Sequence, residues 1–429
     1  MPREYALDRF ERQIREGLLG TGWIQPEEIT LLPPPPEIPG DLGMPCFLLA
    51  RRLRRAPGAI AQELSGRLSF PDGSLVGRVF AQGPYLNFCQ EPQAMARAVL
   101  AEVREWGDRY GGDDIGAGRN VIIDYSSPNV ARRMHIGHIR STVIGQALRN
   151  LYDFLGYRTI GDNHLGDWGT QFGKLIYAYK AWGDEQEMER RPIDHLVELY
   201  ARFHREAQGD PALEEEGRRW FARLEAGDPE ARALWQRFLD LTIQEFEKTY
   251  RRLGVRFDLY RGESFYEPML EDAIREAVEK GAAYQAPDSP AVVLDLTEDG
   301  LGSTLLRKSD GATLYLTREL ATALHRYREY DPVWILYVVG AEQELHFRQL
   351  RRLLERMGYA ELASRCVHVS FGTIVKPDGS RFSMREGEVI FLDELLDEAE
   401  ARALAIVEQK NPVLSEEEKR EIARQVGIG

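Results

Sequence analysis

The apolar positions of this chain change period along its length, and those changes divide it. Near the start, Leu7, Phe10, Ile14 and Leu18 recur at helical spacing. Leu32-Pro-Pro-Pro-Pro36 then reads as a stiff extended connector. Cys46-Phe-Leu-Leu-Ala50 leads into Arg51-Arg-Leu-Arg-Arg55, and a helix is predicted through Ile60 and Leu64. Gly77-Arg-Val-Phe80 and Tyr85-Leu-Asn-Phe88 read as strands flanking Gly83-Pro84. Together these predict a small α+β domain over residues 1–112. The polar, glycine-rich passage from Arg104 to Gly118 reads as a linker out of it.

A second region begins with an unbroken apolar run, Val121-Ile122-Ile123, of the kind that makes a buried strand. The polar turn Ser126-Ser127-Pro128-Asn129 follows. A helix is predicted next, with Ile139, Val143, Ile144, Leu148, Leu151 and Leu155 on its apolar side. Gly156 ends it, and Arg158-Thr159-Ile160 reads as a second strand, completing about one βαβ unit. Residues from about 175 to 285 are charged and helical in pattern, with Trp235, Leu239, Phe246 and Tyr250 on the helical period. The second half-fold returns with Ala291-Val-Val-Leu-Asp295, then Leu305-Leu306 and Leu314-Tyr-Leu316. Val333-Trp-Ile-Leu-Tyr-Val-Val339 reads as a buried parallel strand, Phe347 to Met357 as a helix and Val367-His-Val-Ser-Phe371 as a further strand. Ser415-Glu-Glu-Glu418 is a capping box opening a last helix. Strands and helices alternating in two halves predict an α/β, doubly wound parallel, Rossmann-like domain over residues 113–429. Its ligands should sit at the carboxyl ends of the strands, at the switch point.

His135 and His138 fall where the first loop of that domain becomes a helix, three residues apart and so on one side of the first turn. A helix N-terminus offers unpaired N–H groups and a positive dipole end, which suit phosphate. Gly137 between them has no side chain to hold a ligand away. Two ring N–H donors there can meet polyphosphate oxygens as charge builds in a transition state. The same pair also reads as a solvated or core-edge pair of histidines; the strand–turn–helix context favours the phosphate reading.

Composition narrows the class. The chain has 429 residues, room for about three domains, and 43% hydrophobic content, enough for ordinary cores. No apolar run reaches the roughly 18 residues of a membrane span, and Met1-Pro-Arg-Glu-Tyr5 lacks the form of a signal peptide. Cys46, Cys89 and Cys366 are far apart, which argues for buried free thiols over a disulfide framework or zinc site. A cytoplasmic location is expected. The net charge of −14 argues against a general nucleic-acid binder, although a local basic surface can still hold RNA. Arg51 to Arg55 is either such a surface or a charged helix face.

His135-Ile-Gly-His138 resembles the HIGH signature of class I aminoacyl-tRNA synthetases. The longer string Asp124-Tyr-Ser-Ser-Pro-Asn-Val-Ala131, with Ile139-Arg-Ser-Thr142 and Asn163-His-Leu-Gly-Asp-Trp-Gly-Thr-Gln-Phe172, resembles the arginyl-tRNA synthetases. So do Gly262-Glu-Ser-Phe265, Leu314-Tyr-Leu-Thr-Arg318 and Val338-Val-Gly-Ala-Glu-Gln343. The likeness covers nearly the whole chain.

The resemblance implies an arginine–tRNA ligase. Such an enzyme joins arginine to AMP, using ATP with Mg²⁺, and then passes arginine to the 3′-end of tRNA(Arg). It implies L-arginine, ATP and tRNA(Arg) as partners, no membrane and a monomer. His135, Gly137, His138 and Ser383 would meet ATP, with His135, His138, Lys376, Arg381 and Arg385 stabilising the triphosphate. Glu263 and Glu319 would grip the guanidinium beside Tyr315, and Asp124, Asn129 and Gln343 would meet the α-amino and carboxylate end. The family more often has aspartate at the position of Glu319. Gly161, Asn163, Gly166, Asp167, Trp168 and Gln171 resemble the family's substrate-side strand end, while His164 reads more as a satisfied core group. Residues 175–285 resemble the family's connective insertion, and the first domain its appended domain, which contacts the outer corner of tRNA.

Two stretches depart from the family. The second signature loop, Lys376 to Gly387, keeps Ser383 and Arg385 but has Arg381 and Met384 at its two lysine positions. The family continues into a helical anticodon-binding domain about where this chain ends at Gly429, so the chain reads as a fragment or a short relative. Two further readings stand beside the ligase: an adenylyl-transfer enzyme serving another acceptor, and a catalytically silent relative.

Overall fold

Short apolar runs become the two inner strands of the parallel sheet because both of its faces are covered. The computed structural model describes residues 3–376, 378–380 and 389–429. The chain forms two units, one of residues 1–115 with 154–156, the other of 116–153 with 157–429.

The first unit carries an antiparallel sheet of β1 (Leu42–Pro45), β2 (Val76–Gln82) and β3 (Tyr85–Gln90), in the order β1-β3-β2. Gly83 turns the β2–β3 hairpin with φ 55°. The helix Ala6–Gly20 buries Ala6, Phe10, Ile14 and Leu18. Leu7, expected on that face, is exposed; the stripe runs strictly every fourth residue and Ala6 begins it. A further helix, Phe47–Leu53, carries Arg51 and Arg52 in its last turn. Arg52 pairs with Glu28 and Arg55 with Glu63.

In the second unit, β4 (Asn120–Asp124) and β5 (Arg158–Asp162) lie side by side and parallel. A separate three-stranded antiparallel sheet contains β6 (Tyr284–Gln285), β7 (Val292–Leu296) and β8 (Gly302–Arg307). The parallel sheet resumes with β9 (Trp334–Tyr337) and β10 (Cys366–His368), giving the order β10-β9-β4-β5. The chain therefore winds outward from β4 to β5, then outward on the other side through β9 and β10. The switch point lies between β4 and β9, where doubly wound sheets open a crevice. Residues 292–296 and 302–307 correct the simple second-half reading: they form their own sheet, which shares an apolar core with Ile122 and Ile335 of the parallel one instead of extending it. Leu314-Tyr-Leu316 runs into a helix, Tyr315–Tyr330.

Alternation divides the core. Ile122 points into one apolar cluster with Leu294, Leu320 and Leu350. Val121 and Ile123 point into another with Trp168, Phe172, Trp235 and Phe238. The second cluster is supplied by helices between β5 and β6, among them Thr170–Trp182, Pro192–Gly209, Ala212–Glu225 and Pro229–Arg252. Ser415 and Glu418 form the expected capping box. Cys46, Cys89 and Cys366 are free thiols, the first and last buried and Cys89 half-buried. Among the described residues no helix is long and apolar enough to cross a membrane.

The helix Ile136–Phe154 departs most from expectation. Its buried residues are Ser141, Thr142, Gly145, Gln146 and Arg149, while Val143 and Leu151 are exposed. Hydrogen bonds and close approach hold this face. Gln146 accepts from the Arg256 N–H at 3.0 Å, and Arg149 pairs with Asp258 at 2.7 Å. A Cβ on Gly145 would lie 2.2 Å from Cγ of Tyr125, a fully buried ring. Alanine gains about 1 kcal/mol over glycine in a free helix, but overpacking a filled core costs about 1–3 kcal/mol. Gly145→Ala should therefore lower the unfolding free energy measured in urea; a more stable variant would refute this packing.

Candidate active site

Beyond the last ladder residue of β4 the backbone takes a costly path. Ser126 and Ser127 are both left-handed, at φ 71° and 50°, and Ala131 follows at 58°. Side chains compensate. The Ser127 hydroxyl donates to Asp124 Oδ1 at 3.0 Å, and its N–H donates to Asn163 Oδ1 at 3.1 Å. The Ser126 N–H donates to Ser141 Oγ at 2.8 Å. Val130 and Gly166 join by a backbone hydrogen bond of 3.1 Å, and a Cβ on Gly166 would lie 2.1 Å from Asn129 Oδ1. This position needs glycine so that Asn129 can face inward.

The loop delivers His135 and His138 with their rings 4.0 Å apart. The His135 N–H donates to Nδ1 of His138, and the Gly137 N–H donates to Nδ1 of His135, both at 3.1 Å. Each Nδ1 is thus an acceptor, so each neutral ring carries its proton on Nε2. Burial lowers His138 to about 4; burial, then the charge of Arg132, lowers His135. Near neutral pH both rings are uncharged Nε2–H donors. Arg132, three residues before His135, was not anticipated; that spacing was its only signal.

A pocket of about 550 Å³ opens at the carboxyl ends of the parallel strands. Asp124, Asn129, Glu263, Tyr315, Glu319 and Gln343, the six residues expected to meet arginine, all line it. His164 lines it too, although the sequence suggested a core group; its Nδ1–H faces the Arg261 carbonyl oxygen at 3.0 Å. His135, Gly137, His138 and Lys376 are not part of this lining.

The charges of the pocket are unequal. Asp124 is buried and already occupied: Arg326 donates to its Oδ2 at 2.7 Å and Ser127 to its Oδ1. Arg326 also pairs with Asp162 at 2.8 Å. This triad was missed, because hydropathy counts all three side chains as surface. The seven-residue spacing from Glu319 to Arg326, which puts both on one helix face, was the available signal. Burial raises the Glu263 carboxyl, with Arg318 opposing. Burial works to raise Glu319 as well, but His346 at 3.8 Å, with His164 and Arg326, outweighs it and leaves the carboxyl below its ordinary value. Glu319 Oε1 has no hydrogen-bond partner among the described residues. Tyr315, 75% exposed, stands at the rim as the first residue of its helix.

The motif around Asp167 serves mainly as scaffold. Asp167 accepts from the Ser264 N–H at 2.9 Å and hydroxyl at 2.6 Å, fixing the turn that presents Glu263. A Cβ on Gly262 would lie 2.4 Å from that carboxylate. Trp168 is buried against Trp235, and Gln171 donates to the Trp168 carbonyl. Of the expected strand-end residues only Gly166 lines the pocket. Lys376 is half-buried in a turn, its N–H donating to the Ser380 carbonyl at 2.8 Å. Arg381, Ser383, Met384, Arg385 and Gly387 lie outside the described residues. Beyond them, Phe391 pairs with His135, and the Ile136 N–H donates to the Ile390 carbonyl at 2.9 Å.

Residues 105–429 match the family described as "tRNA synthetases class I (R), catalytic domain", and residues 8–89 match "Arginyl tRNA synthetase N terminal domain". The chain is 48% identical to an arginine–tRNA ligase of Chloroflexus aurantiacus, over 99% of this chain and 73% of that one. With that of Clostridium perfringens it shares 45%, over 94% and 70%. The solved arginyl-tRNA synthetase of Thermus thermophilus superposes with a TM-score of 0.69 at 25% identity, over 98% of this chain and 74% of the other. That of Plasmodium falciparum has the same fold, with a TM-score of 0.68 at 20% identity over 98% and 71%.

The neutral, buried His138 has a consequence for stability. Its folded value near 4 lies below the ordinary histidine value of 6.5, so between these the unfolded chain binds more protons. Stability therefore rises with pH across that window. The slope of unfolding free energy against pH from about 4 to 6.5 should be shallower in His138→Gln; an unchanged slope counts against the assignment.

Proposed function

Because this chain belongs to the arginyl class I tRNA synthetases, we infer that it is an arginine–tRNA ligase, and that the pocket at the switch point binds the amino acid. It activates arginine with ATP, releasing pyrophosphate, and transfers arginine to the 3′-end of tRNA(Arg). The observation that carries the site reading is the convergence of Glu263 and Glu319, the latter with an oxygen unpartnered among the described residues, in one pocket with Asn129, Tyr315 and Gln343. A guanidinium is a planar fork of donors that matches carboxylates in pairs and stacks on aromatic rings. Tyr315 at the rim is the ring we assign to it. Asn129 and Gln343 receive the α-amino and carboxylate end. Asp124 acts there mostly through the Ser127 and Arg326 contacts it already makes.

In the first step an arginine carboxylate oxygen bonds to the α-phosphorus of ATP. The bond from that phosphorus to its bridging oxygen breaks, and pyrophosphate leaves with the electron pair. No protein nucleophile is required. The Nε2–H groups of His135 and His138 donate to phosphate oxygens as their charge grows, and Arg132 adds positive charge nearby. In the second step a terminal ribose hydroxyl attacks the adenylate carbonyl carbon and AMP leaves. Among the described residues no group of three or more His, Cys, Asp or Glu side chains forms a cage for a metal. Mg²⁺ would be held by waters and the ATP phosphates, as its ligand preference allows, and would share the charge that grows on them; no step here runs through it. The first unit is the part we assign to the outer corner of tRNA, and the enzyme acts as a monomer in the cytoplasm.

Arginine-dependent exchange of pyrophosphate into ATP, run with and without tRNA(Arg), tests the activity. Exchange appearing only with arginine and tRNA together is expected. Exchange that needs no tRNA would favour an adenylyl transferase with another acceptor, and no exchange at all would count against the ligase. Lysine should support almost none, since a point charge cannot replace the fork; comparable activation of lysine would overturn the roles of Glu263 and Glu319. In the same assay His138→Ala should lower turnover by about 100-fold, near 3 kcal/mol, while KM for ATP changes little. A loss confined to ATP binding would remove His138 from the transition state.

A further inference from the structure

Tyr250 belongs to the helix Pro229–Arg252, is 1% exposed, and does not line the pocket. A hydroxyl buried this deeply needs partners. It has two: Ser126 Oγ at 2.8 Å and Asn163 Nδ2 at 3.1 Å. Asn163 Oδ1 accepts the Ser127 N–H, so its amide orientation is decided and Nδ2 must face Tyr250. On the other side, Ser126 Oγ lies 2.9 Å from Thr142 Oγ1, which lies 2.8 Å from the carbonyl oxygen of His138.

The protons follow by elimination. The Asn163 amide can only donate here and the His138 carbonyl can only accept. Each of the three hydroxyls between them has one proton. One direction alone satisfies every group: Asn163 donates to Tyr250, Tyr250 to Ser126, Ser126 to Thr142, and Thr142 to the His138 carbonyl. In a buried, low-dielectric setting such a run strengthens cooperatively. It passes through Ser126, one of the left-handed points of the loop. The same helix supports the other end of that loop, where Thr242 Oγ1 accepts the N–H of left-handed Ala131 at 3.2 Å. One helix of the segment between β5 and β6 thus braces both ends of the strained loop and, through it, the turn that carries His138.

We propose that Tyr250 is a positioning residue for amino-acid activation, its hydroxyl holding the Ser126–Ala131 loop and the His138 turn in register through Ser126 and Thr142. The role in activation rests on the ligase reading above; the brace itself does not. Tyr250→Phe keeps the ring and removes the hydroxyl, and Thr142→Val is nearly isosteric. Each variant should still unfold cooperatively, at a midpoint lowered by the partners it strands, yet under conditions where it is fully folded it should lose about ten- to a hundredfold in turnover for pyrophosphate exchange, as small misplacements do. KM for ATP should stay within about threefold.

The distinguishing readout is the double variant. Among the described residues the hydrogen-bonded route from Tyr250 to Thr142 runs through Ser126, so losing either end breaks the same run and the combined loss should match the larger single one. Additive losses, or full turnover in Tyr250→Phe, overturn the proposal. Amide hydrogen exchange at Ser127 and Thr142 in the ligand-free chain reads the brace without activity. It should quicken in Tyr250→Phe about tenfold beyond any change seen at the slowest-exchanging core amides, which report global stability. Unchanged protection overturns the brace even if the wild type is active. A wild type without exchange activity, but with this loss of protection, would fault the ligase reading alone.

Discussion

The pocket depends on one buried interaction, the guanidinium of Arg326 held between Asp124 and Asp162. These aspartates are register partners at the ends of β4 and β5, so adjacent parallel strands bring two carboxylates side by side inside the protein. Like charges in a low-dielectric interior repel strongly. A single delocalised, planar cation with several donors meets both; burial raises the Asp162 carboxyl, and Arg326 opposes that rise. Breaking such a group by removing one member typically costs about 3–5 kcal/mol, because it strands a buried charge. Arg326 is also the pin of its helix. Anchoring it sets the rotation of Tyr315–Tyr330 about its axis, which aims Glu319 into the cavity and places Tyr315 at the rim.

The remaining polarity of the pocket is arranged around that pin. Asp124 is satisfied, whereas Glu319 keeps an oxygen without a hydrogen-bond partner among the described residues and Glu263 is pushed up by burial. A cavity in this state favours a cationic ligand, which would supply the missing donors and ease the cost of holding carboxylates out of water. His346 and His164 offset part of that cost near Glu319. Close backbone approach makes the arrangement possible: Gly166 lets Asn129 turn inward, and Gly262 lets Asp167 fix the turn that offers Glu263. The two histidines answer the opposite demand. Neutral rings with fixed tautomers can donate to phosphate without first giving up a proton.

Much of this was legible in the residues. β4 and β9, the two inner strands, announce themselves as short apolar runs, because a strand covered on both faces has no polar alternation to show. The motif-matched residues Asp124, Asn129, Glu263, Tyr315, Glu319 and Gln343 do converge on one pocket. The failures share a cause. Hydropathy put the buried face of Ile136–Phe154 on Val143 and Leu151, but the face is polar and hydrogen-bonded. It hid Arg326 and Asp162, and it took His164 for a core group.

The sequence by itself determined the local elements and the chemical vocabulary: apolar runs, turn residues, the capping box at Ser415, and the His135–His138 turn. Those depend on residues a few places apart, so period and propensity are enough to express them. Only the tertiary structure decided which buried polar group meets which. Arg326 lies 202 residues from Asp124, and Tyr250 lies 124 from Ser126. Such partners are chosen by the cost of leaving a buried donor or acceptor unmet and by the geometry of the assembled sheet. Neither exists until distant segments have come together.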